Sequence, residues 1–248
     1  MPTLSRFFRS FGGGITNLLF PRVCAVCRAP MDEPSVFEIC GGCVKKFPQR
    51  PAFSCEVCGV PIDGEVAEAG YSSCGRCRIT KPPFDATFYG MRYDGTAREL
   101  VHRFKFGKIF RLAGAVASPL CAELYGKPQA READVVAPVP LHRKRVFERS
   151  FNQSYLIALE IGKTLSIPVH GGLLARQRAT TPQFSLSAVE RHKNIKGAFA
   201  VERPELAEGK TVILVDDIMT TGSTMWEAAK TLKKAGAKKV ICAASARA

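Results

Sequence analysis

The chain has 248 residues, of which 46% are hydrophobic and 23% charged, which indicates a folded core and excludes a largely disordered chain. Lysine and arginine exceed aspartate and glutamate by 14, so we expect an anionic partner whose kind the charge alone does not specify. No run of 18 apolar residues occurs, which excludes a transmembrane helix, and the absence of a cleavage site after the apolar start leads us to expect a cytoplasmic protein.

Segment 1–20 carries apolar residues at a spacing typical of one helix face, interrupted by the glycines at 12–14. A helix that packs on the rest of the protein is the favoured interpretation, and association with a membrane surface is the alternative. The apolar residues of this segment are Leu4, Phe7, Phe8, Phe11, Ile15, Leu18 and Leu19.

Four Cys-x-x-Cys pairs lie between residues 24 and 77 and contain eight of the ten cysteines. A two-residue gap lets two thiolates of one tight turn bind the same ion, and zinc takes four such sulfur ligands tetrahedrally. We therefore predict two structural Zn²⁺ ions in a double zinc ribbon over residues 21–82. Two ways of pairing the cysteines stay open: a sequential pairing, which is the simpler one, and a cross-braced pairing. The sequential pairing assigns Cys24, Cys27, Cys40 and Cys43 to the first ion and Cys55, Cys58, Cys74 and Cys77 to the second.

The alternative for these cysteines is a disulfide framework. It requires an oxidising compartment, and the sequence carries no export signal. Residues 1–90 hold 10 basic and 8 acidic residues, so we do not expect this region to bind DNA by itself.

A second domain is predicted over residues 84–248, after the Lys81-Pro82-Pro83 linker. Apolar strands alternate there with helices, which indicates an α/β fold with an open, mainly parallel sheet and helices on both faces. The predicted strands are 84–93, 134–139, 211–215 and 239–243, and the predicted helices are 96–105, 112–124, 152–165 and 224–235. We expect Cys121, Cys242 and Trp226 to be buried in this core.

The stretch VILVDDIMTTGSTMWEAAK, residues 212–230, carries the clearest chemistry. A buried strand brings Asp216 and Asp217 to its carboxyl end, and a polar turn then leads into a helix whose first amides can hold a phosphate. Because carboxylates repel a phosphate, they need hydrogen-bond donors such as the paired hydroxyls of a ribose. The pattern predicts a ribose 5-phosphate site whose phosphate-binding residues are Thr220, Thr221, Gly222, Ser223 and Thr224.

This stretch resembles, over its whole length, the motif by which type I phosphoribosyltransferases bind phosphoribosyl pyrophosphate (PRPP). The resemblance implies a type I phosphoribosyltransferase fold and Mg²⁺ bound together with PRPP. It also implies that Asp216 and Asp217 are the catalytic residues, contacting the ribose hydroxyls and, through them, the magnesium ion.

Two basic clusters accompany this motif. The first follows strand 134–139, where the fold has its pyrophosphate loop, and a solvated basic face is its alternative. It comprises His142, Arg143, Lys144, Arg145 and Arg149. The second suits either phosphate or DNA and comprises Arg176, Arg178, Gln183, Arg191 and Asn194. Lys105 belongs either near the site or on the surface.

Further stretches are similar to segments of the ComF family: PVPLHRKRVFERSFNQS (138–154), LLARQRATTPQFSLSAVERHKNIKGAF (173–199) and Leu18-Leu19-Phe20-Pro21 before the ribbon. The chain departs from the family at Ser150, where an Arg-Gly-Phe-Asn pattern has glycine. The resemblance implies a role in natural competence: handling of incoming single-stranded DNA beside a competence helicase.

Two functions stay open. One is a PRPP-binding protein that acts in competence; the alternative is a metabolic enzyme that transfers ribose 5-phosphate from PRPP to a nitrogen acceptor. Few residues follow the last strand, so recognition of an acceptor would fall to residues 91–112 or to the zinc region. Ammonia production from glutamine is excluded, because no glutaminase nucleophile is present.

Overall fold

A computed structural model of the chain describes residues 22–31, 38–62, 70, 72–178 and 188–248. The predicted helix over 1–20 lies outside the described residues. The strands are β1 (Ala86–Arg92), β2 (Val135–Pro138), β3 (Leu174–Arg176), β4 (Phe199–Val201), β5 (Thr211–Met219) and β6 (Lys239–Arg247). The helices are α1 (Gly41–Lys45), α2 (Gly75–Ile79), α3 (Gly95–Phe106), α4 (Ala113–Tyr125), α5 (Pro128–Arg131), α6 (Arg143–Arg149), α7 (Gln153–Leu165), α8 (Ala188–Ile195) and α9 (Ser223–Lys234).

Four strands form a parallel sheet in the order β1-β6-β5-β2, and β3 pairs antiparallel with β4 in a separate small sheet. The parallel α/β fold expected from the alternating pattern is confirmed. Helices α3, α4 and α7 contribute to the hydrophobic core on one face, and α8 and α9 to the core on the other. In the described part of the chain, no helix is both long and apolar enough to cross a membrane.

The strand that carries the acidic pair is longer than its sequence pattern predicts. We expected it to end at Val215, but β5 continues to Met219 because β6 runs beside it as far as Arg247. Asp216 therefore lies opposite Ala244 in the sheet, inside the strand and not beyond its end. The acidic side chains consequently have fixed backbone positions before the polar turn begins.

The first ribbon, which carries Cys24 to Cys43, and the second ribbon, which carries Cys55 to Cys77, pack against opposite faces of the same sheet. Val26 and Ile39 of the first ribbon join the core that contains α3, α4 and α7, whereas Val57 of the second ribbon packs on the core of the other face. Gly59 of the second ribbon has a φ of 70° and lies against Tyr89 of edge strand β1. A side chain at position 59 would place its Cβ 3.1 Å from the Tyr89 ring. The backbone of the second ribbon is thus close enough to the sheet edge that there is little room for a side chain at position 59.

Candidate functional site

The eight predicted zinc ligands form two separate clusters with sequential pairing. In each cluster, the four Sγ atoms lie within 4.8 Å of one another. Cys27 Sγ lies 3.7 Å from Cys40 Sγ, and Cys58 Sγ lies 3.7 Å from Cys74 Sγ. A tetrahedral zinc with Zn–S bonds of about 2.3 Å has sulfur–sulfur edges of about 3.8 Å, whereas a disulfide is about 2.05 Å long. The clusters fit structural zinc, and the disulfide and cross-braced alternatives are wrong.

The acidic pair of β5 is held by groups from two helices on one face of the sheet. Ser154 Oγ, in the first turn of α7, donates a 2.9 Å hydrogen bond to Asp216 Oδ1. Lys105 Nζ, near the end of α3, lies 2.7 Å from Asp217 Oδ2. Asn152 caps α7 and donates to the carbonyl of Val139, so the start of α7 is tied to the end of β2. Lys105 therefore belongs to the site and not to the open surface.

Burial, together with the neighbouring Asp217 carboxylate, raises the pKa of Asp216 to about 7. Lys105 and the hydrogen bond from Ser154 act in the opposite direction but do not cancel this effect. A carboxyl group that titrates near neutral pH can hold or release a proton under ordinary conditions. Perturbed carboxyl groups of this kind cluster at functional sites.

The polar turn after β5 forms an N-terminal cradle on α9. Gly222 precedes the helix with a φ of 77°, a left-handed conformation that favours glycine. The amide of Trp226 donates to the carbonyl of Gly222 and starts the helical ladder, and the amide of Ser223 lies 3.4 Å from Thr221 Oγ1. Thr221 Oγ1 and Ser223 Oγ are 2.9 Å apart beside these amides. Amides and hydroxyls that converge at a helix N-terminus suit an anion.

Arg247, in the last position of β6, lies behind this turn, and sequence reasoning missed it. Its guanidinium is buried and donates through one nitrogen to the carbonyls of Met219 and Thr220. In a trans peptide the carbonyl and the amide point in opposite directions. The amides of Thr220 and Thr221 are therefore turned away from Arg247. Only the position of an arginine at the end of the chain's last strand could have signalled this role.

The first basic cluster lies on and before α6, a helix that the sequence pattern did not predict. Arg143 is exposed and Arg145 half-buried, while the side chains of Lys144 and Arg149 lie outside the described part of the structure. The helix ends at Arg149, and the next residue, Ser150, has a φ of 70°. Serine thus adopts here the backbone conformation that the glycine of the family pattern would adopt easily.

The second basic cluster is only partly brought together. Arg178 donates to the backbone carbonyls of Asn194 and Lys196, at 2.9 Å each, so it fixes the end of α8. The Arg176 guanidinium lies 5.6 Å from the centre of the Phe199 ring. Gln183 and the side chain of Arg191 lie outside the described residues. Among the predicted core residues, Cys121 and Cys242 are buried and Trp226 is partly buried.

Comparison with known proteins agrees with this architecture. Residues 15–78 match the family model for the double zinc ribbon domain, and residues 161–248 match that for the phosphoribosyl transferase domain. The DNA utilization protein YhgH of Salmonella typhi is 35% identical over 231 residues, which cover 90% of this chain and 96% of that protein. Competence protein F of Haemophilus influenzae is 31% identical, over 82% of this chain and 87% of that protein.

A solved structure of glutamine PRPP amidotransferase from B. subtilis, in complex with ADP and GMP, is 25% identical with a TM-score of 0.37. The alignment covers 54% of this chain and 26% of that chain. The sequence relatives match along nearly their whole length, and the matched part of this chain includes residues of both the ribbon and the transferase domain. By its sequence relatives and its two matched domains, the chain belongs to the ComF family of phosphoribosyltransferase-like proteins with an N-terminal double zinc ribbon.

Proposed function

We propose that the chain binds PRPP together with Mg²⁺ at the β5–α9 site and acts in natural competence, in the handling of incoming single-stranded DNA. The observation that carries the first part is the placement of two fixed carboxylates directly before an amide-lined turn. The second part is supported by the names of the relatives, a DNA utilization protein and a competence protein. A competence helicase is the proposed protein partner.

The ribose is assigned to the acidic pair. Asp216 and Asp217 repel a phosphate but accept hydrogen bonds from two neighbouring hydroxyls, and Lys105 offsets part of their charge. Because the pair is partly desolvated, a hydrogen bond to it is stronger than one made in water. A fixed carboxylate beside the anomeric carbon would also stabilise positive charge that develops there.

The 5-phosphate is assigned to the turn of residues 220–224 at the start of α9. Thr221 and Ser223 supply hydroxyls, and the orientation imposed by Arg247 directs amides of the turn outwards. The pyrophosphate is assigned to the basic residues of α6, Arg143, Lys144, Arg145 and Arg149. Magnesium bound with PRPP would neutralise part of the pyrophosphate charge. The acidic pair would accept hydrogen bonds from the ribose hydroxyls that the ion orients.

A metabolic phosphoribosyltransferase is the second candidate, and one observation favours it. A cavity of about 340 Å³ lies between the second ribbon and the phosphate turn, lined by Arg76, Phe84, Thr221, Gly222 and Trp226 among others. A planar base is small enough for such a space. Release of pyrophosphate from PRPP in the presence of added bases would support this candidate over a pure binding role.

The test of PRPP binding is calorimetry and thermal unfolding with PRPP and Mg²⁺. A ligand that binds only the folded state raises the melting temperature. We expect a clear upward shift for the parent protein and none for the Asp216→Asn, Asp217→Asn double variant. The matched control is Glu202→Gln, an exposed carboxylate outside the site, which should keep the full shift. A full shift in the double variant would refute the ribose assignment.

The competence role is tested by complementation. A Haemophilus influenzae strain that lacks Competence protein F should regain transformation when it expresses this chain, and the double variant should not restore it. Transformation that stays at the level of the deletion strain, with the protein present and folded, would contradict the role.

A further inference from the structure

Helix α3 and the turn after it present aromatic rings to solvent beside the acidic pair. The exposed fractions of Phe106 and Phe110 are 58% and 54%. The His102 ring lies 4.8 Å from that of Phe106. Lys105, the neighbour of Phe106, reaches Asp217, so these rings lie next to the predicted phosphoribosyl site.

One exposed ring of this corner, that of Phe110, is anchored to the core. Phe110 and Phe151 meet edge to face with ring centres 5.3 Å apart, and Phe151 lies 5.6 Å from Phe104, which is fully buried. A ring supported in this way loses little conformational freedom when a flat partner stacks on it. The corner therefore offers a fixed platform and not a mobile loop side chain.

Basic residues precede and follow the exposed rings in the chain. Five basic residues and one acidic residue lie between positions 98 and 111, and the side chains of Arg98 and Lys108 are exposed. Arg111 lies 3.1 Å from Glu38 of the first ribbon and still has 75% of its side chain exposed. The corner therefore lies between the first ribbon and the acidic pair. It belongs to the part of the chain, 91–248, that holds 26 basic and 14 acidic residues.

We propose that this corner binds single-stranded nucleic acid, with bases stacked on Phe106 and Phe110 and phosphates held by the surrounding cations. The proposal rests on the DNA-handling part of the proposed function and names the surface that performs it. Single aromatic rings interleaved with cations suit a strand of stacked bases, because every base offers a flat face and every nucleotide a negative charge. We define the α3 corner as Arg98, His102, Phe106, Lys108, Phe110 and Arg111.

The test is binding of a fluorescein-labelled oligothymidylate, measured by anisotropy over a range of salt concentrations. The Phe106→Leu, Phe110→Leu double variant should weaken binding about tenfold or more, since stacking is lost while apolar bulk is kept. The slope of log affinity against log salt should stay unchanged. The Phe106→Tyr, Phe110→Tyr variant should bind as the parent does.

Arg98→Ala and Lys108→Ala should each lower the salt slope by roughly 0.7 for every phosphate contact removed.

The control is Tyr125→Ala, since Tyr125 is 60% exposed and ends α4, which leads to the amino end of β2, whereas Lys105 reaches the carboxyl half of β5. Melting temperature and zinc content verify that each variant is folded. A parent that fails to bind the oligonucleotide would overturn both the DNA-handling function and this surface. A parent that binds while the leucine variant binds equally well would overturn the surface alone and assign the exposed rings to a protein partner.

Discussion

Lys105 Nζ lies 2.7 Å from Asp217 Oδ2, and this contact joins the end of helix α3 to the carboxyl half of β5. Both side chains are largely buried, with exposed fractions of 18% and 8%. Two adjacent carboxylates in a partly desolvated position repel each other, so a nearby cation stabilises the pair. The acidic pair of the proposed phosphoribosyl site is therefore stabilised by a residue far from its sequence motif.

Replacing this cation should make the stability of the protein more dependent on pH. Lys105→Met leaves the two carboxylates without their cation, and breaking such a contact costs about 1–3 kcal/mol after allowance for the remaining solvent access. The loss should be larger at about pH 8 than at about pH 5, where protonation of Asp216 relieves the repulsion. Urea unfolding at both values measures it. Lys163→Met, which removes an exposed cation beside Glu160, is the control.

Asp216 itself should destabilise the fold at alkaline pH. Its pKa of about 7 in the folded chain exceeds the ordinary value of 3.8, so the folded state retains a proton that the unfolded state releases. The contribution of this group to stability therefore falls as pH rises from about 4 to about 7. Asp216→Asn should be more stable than the parent at about pH 8, by roughly 1–3 kcal/mol, and equal to it near pH 4. A constant difference across that range in urea unfolding would contradict the raised pKa.

The order of the four parallel strands and of helices α3, α4, α7 and α9 could be predicted from the sequence because it depends on local patterns, whereas β3, β4, α5, α6 and α8 were not predicted. Short apolar runs that alternate with helical segments indicated the parallel strands, and the two-residue cysteine spacing indicated the zinc ligands. Metal pairing was left open, since spacing alone does not show which turns meet. In the fold, the first cluster belongs to the ribbon that packs on one face of the sheet and the second cluster to the ribbon that packs on the other.

Contacts between distant segments were less predictable. The extension of β5 to Met219 depends on pairing with β6, and a short polar stretch such as Asp216-Asp217 carries no strand signal of its own. The role of Arg247 likewise depends on the fold, because strand register places it opposite Met219. Sequence reasoning selected the acidic pair, the polar turn and Lys105 as candidates, but it did not select Arg247 or Ser154, whose contacts depend on the fold.

The zinc clusters should be independent and account for all bound metal. The purified chain should contain two zinc ions, and Cys27→Ser or Cys58→Ser should each reduce the content to one, because each residue belongs to a different cluster. Cys121→Ser and Cys242→Ser are the controls, since both thiols are buried in the core away from the clusters. Elemental analysis measures the stoichiometry. Loss of both ions from a single substitution would show that the ribbons do not fold separately.

Arg247 should control how well the turn binds phosphate. Arg247→Met removes the donors to the carbonyls of Met219 and Thr220, so the two peptides are no longer held with their amides outwards. We expect PRPP affinity to fall about tenfold, since one to two charge-assisted hydrogen bonds that preorganise the turn are lost.

Arg247→Lys keeps a charged donor and should restore part of the affinity. Arg92→Met, at the paired position of the neighbouring edge strand, tests for a general effect of losing a strand-end arginine. Calorimetry with PRPP and Mg²⁺ measures all three, and an unchanged affinity in a folded Arg247→Met protein would rule out the positioning role.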